Sequence, residues 1–548
     1  MTPSAAPSPP ATGPSWAPSA GGAKLGPAEC EILVIGGGST GAGIARDAAM
    51  RGFSTVLVER GDLATGTTGR FHGLLHSGGR YVVKDPQAAQ ECYAENVVLR
   101  RIAADAIEDT GGMFVTTPID DPGYADRFVQ ACTATGIPVA EITVAEALRR
   151  EPRLNPRISR ALVVPDATVD CWKAVWACVR SAAEYGARIF PYHEVITVTR
   201  DGSRVTGALV RGPGGEEVEI RAEIVINATG AWAGRIAAMT GCEVNVLPGK
   251  GIMVAMNHRL VNTVVNRCEM PSDGDILVPV HTVSVIGTTD TPVADPDEWP
   301  ITRAEVDQML DAGENLVPGF RAARALRVWG GVRPLFQDSL PAATRDVTRA
   351  HAVLDHSARD GVDRFLTIVG GKFCTFRLMA QDAVDAACAV LGAERPCRTA
   401  DEPLPGSEQG RFYWMGSRLA RREQTLHDDQ LICECELVTR GRLEDALLER
   451  GTTNLDDLRR ILRLGMGPCQ GGFCIFRATG ILHQAMKLSA PEANRALLDF
   501  LQERWKGVQP LVYGDQLRQA WLDNWIFQGV LDVGHLPQTA AARERAPV

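Results

Sequence analysis

No stretch of this sequence holds the roughly 18 consecutive apolar residues that a membrane-spanning helix requires, so no span is expected and any membrane contact should be peripheral. The first 27 residues lack the basic start and apolar run of a secretory leader, which points to a cytoplasmic chain. They hold seven Pro and four Gly among Ala and Ser, without apolar periodicity, and a disordered tail over 1–27 is expected. Positive charge is not in surplus. The 57 Lys and Arg against 66 Asp and Glu leave a formal charge of −9 and a pI near 5.7. That balance argues against broad nucleic-acid binding while allowing a local basic pocket. Internal repeats are also missing.

What is present is a globular composition, 45% hydrophobic and 22% charged, over 548 residues. That length exceeds one hydrophobic core, so two to four domains are expected. Residues 30–60 read as a βαβ unit: a buried strand over 31–36, a helix from about Thr40 to Arg51, and a second strand over 55–59. A long helix is expected over 87–110. The stretch 190–345 is rich in strands, such as 275–280 and 283–287, and a strand–Gly–helix pattern returns near 365–390. A core begun at one end and completed far along the chain implies an inserted domain. The reading is α/β, with a dinucleotide-binding domain and its insertion over 28–398, a polar linker over 399–428, a compact Cys-containing unit over 429–480, and a helical segment over 481–548.

Gly36-Gly37-Gly38-Ser39-Thr40-Gly41 fits G-x-G-x-x-G between a strand and a helix. Gly36 permits the tight turn, Gly38 lets a pyrophosphate approach the backbone, and Gly41 allows close helix–strand packing; the helix N-terminus favours the negative charge. Glu59 ends the next strand 23 residues after Gly36, where a carboxylate accepts ribose hydroxyls. The pattern alone does not separate FAD from NAD. Two more segments favour FAD: the small-residue turn Asn227-Ala228-Thr229-Gly230-Ala231-Trp232, and Thr367-Ile-Val-Gly370-Gly371-Lys372, a strand running into a Gly turn. Both suit further approaches along a cofactor that stays bound.

Of 14 cysteines, ten are scattered (Cys30, Cys92, Cys132, Cys171, Cys178, Cys242, Cys268, Cys374, Cys388 and Cys397) and read as small buried hydrophobes. Four are clustered: Cys433-x-Cys435 and, 34 residues on, Cys469-x4-Cys474 within a Gly-rich loop. In a cytosolic chain such a cluster suggests metal binding rather than disulfides. Four thiolates suit zinc or an iron–sulfur cluster. C-x2-C pairs dominate structural zinc sites, and the spacing here departs from them.

Together these segments resemble the A subunits of anaerobic glycerol-3-phosphate dehydrogenases, over about 28–530. The likeness is carried by 36–47 (GGGSTGAGIARD), 58–82 (VERGDLATGTTGRFHGLLHSGGRYV), 330–335 (GGVRPL), 370–377 (GGKFCTFR), 433–436 (CECE), 465–474 (GMGPCQGGFC) and 504–510 (RWKGVQP). The first domain is similar to FAD-dependent oxidoreductases that include D-amino-acid oxidase. That likeness implies a Rossmann-like FAD domain with an inserted antiparallel-sheet substrate domain. The Cys-containing unit is similar to the [2Fe–2S] domain of bacterioferritin-associated ferredoxins, with Cys433, Cys435, Cys469 and Cys474 as ligands. The resemblance implies oxidation of sn-glycerol 3-phosphate to dihydroxyacetone phosphate, with electrons delivered to a quinone through partner subunits and the chain held peripherally at a membrane by a partner. On the matched motifs, Gly36, Gly38, Ser39, Thr40, Gly41, Glu59, Arg60, Thr65, Thr67, Thr68, Gly230, Gly370, Gly371 and Lys372 are expected to hold FAD. The alternative for the Thr65–Thr68 loop is a capped turn.

The substrate phosphate carries about −1.5 to −2 charge at neutral pH and needs cations, which Arg forks match two oxygens at a time. Arg80, Arg333, Arg345 and Lys372 stand beside Gly, Pro or strand ends, as loop residues lining a cleft would, and Tyr81 adjoins Arg80. His76 and Lys372 are candidates for the base that takes the hydroxyl proton, and Lys372 qualifies only if its pKa is strongly lowered. Arg333 completes the catalytic set. Single-subunit glycerol-phosphate dehydrogenases have a His in the segment equivalent to 250–254; here it reads Lys-Gly-Ile-Met-Val. The competing readings are an amino-acid or amine dehydrogenase, whose substrate presents a carboxylate, and a non-catalytic electron-transfer subunit.

Overall fold

A computed structural model describes residues 26, 28–337, 350–424 and 430–537. Apart from Gly26, the expected tail over 1–27 lies outside the described residues, as does Arg345.

The apolar run Ala28–Ile35 forms the central strand of an eight-stranded sheet. Parallel neighbours Thr55–Val58 and Glu217–Asn227 flank it, followed outward by Arg188–Phe190 and Phe365–Gly370. Strands buried on both faces read as continuous apolar runs, as these do. On one face the Ser39–Met50 helix packs with Cys171–Glu184 and Phe376–Leu391. The strand pair Glu194–Asp201 and Arg204–Arg211 continues the sheet antiparallel. The chain thus returns to its first sheet at 365–370, after the insertion.

That insertion is a nine-stranded sheet built in two passes, 112–164 and 246–336. All its pairings but one are antiparallel; Val264–Arg267 lies parallel to Gly112–Thr116. Val246–Met256 and Ala325–Phe336 form its longest ladder, with Arg333 opposite Gly249. Arg333 is therefore held in register by a strand, not carried on a loop as the Gly and Pro around it suggested.

The long helix expected over 87–110 is Pro86–Ile102, capped by Asp85 through the Ala88 amide. It stops because Ile107–Glu108 pairs with the Ala167–Val169 strand instead. The polar stretch 399–424 is pinned to these elements: the Leu404 amide donates to the Ile102 carbonyl and the Tyr413 amide to Ile107. It then forms the helix Met415–Gln424.

Beyond it, a short hairpin (Leu431–Cys433 and Val438–Thr439) and three helices, Arg440–Arg450, Leu455–Leu462 and Cys474–Ala485, enclose a small core. The tail completes that core. Phe500 on the Ala490–Val508 helix packs under Gly465 and Gly471, and Arg504 donates to the Gln470 carbonyl at 2.7 Å while pairing with Asp523. The same helix touches the inserted sheet, where Arg327 donates to the Glu503 carbonyl.

Candidate active site and cluster site

At the carboxyl ends of the parallel strands, where open α/β sheets bind ligands, a cavity of about 910 Å³ runs from the Gly-rich turn to the inserted sheet. Gly36 has φ +112°, and a Cβ on Gly41 would sit 1.8 Å from the Gly36 carbonyl oxygen. Only glycines allow this strand and helix to approach so closely. Glu59 accepts the Gly37 amide at 2.7 Å and the Gly61 amide at 2.8 Å, which aims its carboxyl at the cavity rim.

Of the residues expected to hold the cofactor, Gly36, Gly38, Ser39, Thr40, Glu59, Arg60, Thr65, Thr67, Thr68, Gly230, Gly370, Gly371 and Lys372 all line this one cavity. Gly41 lies behind them as a packing residue. The threonine hydroxyls are engaged within the protein. Thr68 accepts the Ser39 amide at 3.0 Å, Thr67 donates to the Val332 carbonyl at 2.5 Å, and Thr65 donates to the Asp62 carbonyl at 2.8 Å. The loop is thus a cap for the Ser39 helix and a tie to the Arg333 strand as well as a cavity wall. Arg60 lies over Trp232 and pairs with Asp297.

His76, Arg80, Tyr81, Arg333 and Lys372 line the far end. Arg333 fits there because Gly249 and Gly251 across the ladder have no side chains; a Cβ on Gly251 would lie 2.5 Å from its guanidinium. Asp290 pairs with it at 3.0 Å, and it donates to the Thr289 carbonyl at 2.9 Å. Arg80 pairs with buried Asp275 at 2.5 Å. Lys372 lies 5.3 Å from the Tyr81 ring centre. Burial alone would lower its pKa, but the charge on the neighbouring Cys92 sulfur outweighs that and raises it. The direction of that shift is opposite to the lowering that Lys372 would need to act as a base. Lys250, the first residue of the 250–254 segment, turns to Glu305 at 2.7 Å and the Pro300 carbonyl at 2.8 Å.

His72, which the sequence did not single out, lines the cavity as well. Its pKa is lowered to about 3, by burial first and then by the charges of Arg80 and Arg333. The Leu74 amide donates to its Nδ1 at 3.2 Å, so the neutral ring carries its proton on Nε2. Its place four residues before His76, in the same motif, was the available signal. Trp232, at the end of the expected 227–232 turn, also lines the cavity, as do Arg70 and Asp290, which were missed.

The four clustered cysteines meet in the second unit. Their sulfurs are close neighbours, Cys433 and Cys469 each interacting with both Cys435 and Cys474. Backbone amides turn toward these sulfurs: Gly465 and Glu436 to Cys433, Gly471 and Phe473 to Cys469. A Cβ on Gly467 would lie 2.3 Å from that of Cys435. A four-sulfur ring cradled by amides fits a thiolate-held iron pair. The cavity, with an amide-lined turn at one end and flat glycine approaches along its length, fits a dinucleotide flavin.

These features define the class: a flavin-dependent oxidoreductase with a second, thiolate-held redox centre. The family model described as FAD dependent oxidoreductase matches residues 31–363, and the one described as BFD-like [2Fe-2S] binding domain matches 431–484. The cofactors are FAD and a [2Fe–2S] cluster. More narrowly, the chain belongs to the family of the anaerobic glycerol-3-phosphate dehydrogenase A subunits. It is 43% identical to the Escherichia coli member over 523 residues, covering 91% of this chain and 96% of that one. To a Haloferax volcanii member it is 44% identical over 545 residues, covering 93% and 92%. Among solved structures, the fold matches the glycerol-3-phosphate dehydrogenase of Bacillus halodurans complexed with FAD, with TM-score 0.63, 20% identity and 89% and 96% of the two chains covered. It also matches a glycine oxidase of Geobacillus kaustophilus, with TM-score 0.54, 25% identity and 69% and 98% covered.

Proposed function

We propose that this chain oxidises sn-glycerol 3-phosphate to dihydroxyacetone phosphate and passes the electrons through its cluster to partner subunits and on to a quinone. The observation that carries the reading is that Arg80, Arg333 and Lys372 line the cavity that the dinucleotide turn opens into, Arg80 and Arg333 both close enough to His72 to depress its pKa and Lys372 beside Tyr81. A phosphate dianion matches that cationic end, and the relatives named above are glycerol-3-phosphate dehydrogenases. Bound FAD supplies the two-electron acceptor and the cluster a one-electron relay.

The protein's own groups bind and orient. Arg80 and Arg333 are each held by a carboxylate, and the five N–H donors of a guanidinium fork suit phosphate oxygens. Lys372, as an ammonium, stabilises negative charge developing on the C2 oxygen. His72 donates from Nε2 and so is not the acceptor of the hydroxyl proton. That role falls to His76, whose ring lies 5.3 Å from that of Tyr81 at the same end of the cavity. The relatives' names, which call them subunits, support a multi-chain assembly. No helix among the described residues is long and apolar enough to cross a membrane, so we place any membrane contact in a partner, at the cytoplasmic face.

The test is anaerobic addition of glycerol 3-phosphate to the purified holoprotein while its flavin and iron–sulfur absorbance are followed together. Both should bleach, flavin first. Bleaching by small amino acids but not by glycerol 3-phosphate would replace this reading with an amine-oxidising one.

A further inference from the structure

Two of the scattered cysteines are neighbours. Cys92, on the Pro86–Ile102 helix, and Cys374, in the turn directly after Lys372, lie 282 residues apart in sequence, yet their sulfurs are 3.3 Å apart. Both are buried, at 0% and 1% exposure. Cys374 lines the cavity beside Lys372, and Lys372 hydrogen-bonds the Cys92 sulfur. A thiol next to a fixed ammonium and a second thiol is the setting that favours a thiolate and its oxidation. Burial alone would raise the Cys92 thiol, but the Cys374 hydrogen bond and the Lys372 charge outweigh it and lower it. The Cys374 thiol is raised by its hydrogen bond to Cys92 and by burial, and it keeps its proton.

We propose that Cys92 and Cys374 are a reversible dithiol–disulfide site, oxidised by small hydroperoxides that reach buried Cys92 past Cys374, the member of the pair that lines the cavity. The Cys92 thiolate attacks the peroxide O–O bond, becomes a sulfenic acid and releases hydroxide. The Cys374 sulfur then displaces the sulfenic hydroxyl, which leaves as water. Two thiols and one hydrogen peroxide give one disulfide and two waters, and an external dithiol reverses the change. The bond ties the turn that carries Lys372 to the Pro86–Ile102 helix and removes the thiolate that faces Lys372. Oxidation at this site therefore acts on the cationic end of the pocket without touching the cluster.

The test treats the anaerobically purified holoprotein with a small excess of hydrogen peroxide, followed by alkylation and non-reducing peptide mapping. The expected result is a cross-linked Cys92–Cys374 peptide, lighter by two hydrogens than the sum of its parts, that dithiothreitol separates. Cys92→Ser and Cys374→Ser should each abolish it, and if one variant does not fold the other suffices. Oxygen added to either cysteine without a cross-link, or both thiols still alkylated, would overturn the proposal. Slower flavin reduction by glycerol 3-phosphate in the cross-linked form, restored by dithiothreitol, is also expected. That readout rests on the proposed substrate whereas the peptide map does not, so the two failures are distinguishable.

Discussion

At the cationic end of the cavity each guanidinium is already paired, Arg333 with Asp290 and Arg80 with Asp275. The pairing fixes where each fork points, so each arginine is oriented before any anion arrives. Replacing Arg333 with Ala removes charge-assisted hydrogen bonds to the substrate phosphate that are worth about 1.5–3 kcal/mol. The KM for glycerol 3-phosphate should rise about 10- to 150-fold, with FAD still bound by its visible absorbance. An unchanged KM would remove Arg333 from the pocket. His72 allows a sharper test. Its pKa is lowered to about 3, so the ring is neutral near neutrality and contributes no ionisation there. His72→Gln, which places an amide N–H near the Nε2 position, should retain most of the rate of flavin reduction, and its pH profile should match the parent's over about pH 5–9. His72→Leu should lose the rate. A profile that shifts in the Gln variant would mean that His72 titrates during turnover. His76, the assigned base, gives the opposite expectation: its Ala variant should lose the rate and the pH dependence together.

At the scale of elements, the flavin loop and the cluster unit are joined by buried charge. Asp62, three residues past Glu59, receives Arg450 at 2.5 Å and Arg460 at 2.8 Å. Tyr192 donates to Asp457 at 2.6 Å. Removing one member of a buried ion pair costs about 3–5 kcal/mol, because its partners keep their charge without compensation. Asp62→Asn takes the carboxylate from Arg450, while Arg460 keeps its pair with Asp457. It should leave flavin reduction by substrate intact while slowing the electron step from flavin to cluster in stopped-flow absorbance. Equal slowing of both steps would mean that the contact serves the substrate pocket instead. The same contact shows what the sequence could and could not reveal. The glycine turn and the cysteine pairs were legible because their geometry is set by spacing within about a dozen residues. Glu59 and the parallel strands were legible because buried strands write themselves as apolar runs. Asp62 with Arg450 lies 388 residues apart, and Cys92 with Cys374 lies 282 apart; no local pattern encodes such pairings. Arg333 was recognised as a pocket residue but assigned to a loop, since its Gly and Pro neighbours suggest a turn. The ladder to Gly249 and Gly251 uses those small residues to make room for a guanidinium.

The whole molecule has two redox units with separate cores that share a wall. The flavin unit's core lies among the Ser39–Met50, Cys171–Glu184 and Phe376–Leu391 helices, and the cluster unit's core is closed by the tail through Leu497, Phe500 and Phe527. Arg504, holding the Gln470 carbonyl and Asp523, fixes the Cys469–Cys474 loop from the tail side. Because neither core contributes side chains to the other, loss of one cofactor should not collapse the site of the other. Cys469→Ser removes one of the four sulfurs that we propose hold the cluster and leaves an oxygen too hard for such an iron site. The variant should lose the cluster's visible absorbance and its electron paramagnetic resonance signal after reduction. Its flavin should still bleach on anaerobic addition of glycerol 3-phosphate, at close to the parent rate, while electron delivery to an external quinone analogue in the assembled complex falls away. The Asp62 contact bears on this expectation, because it lies between the flavin loop and the helices around the cluster. If Cys469→Ser also stopped flavin reduction, the cluster would be holding the flavin loop in shape through that contact, and the cluster unit would be a structural prop as well as a relay.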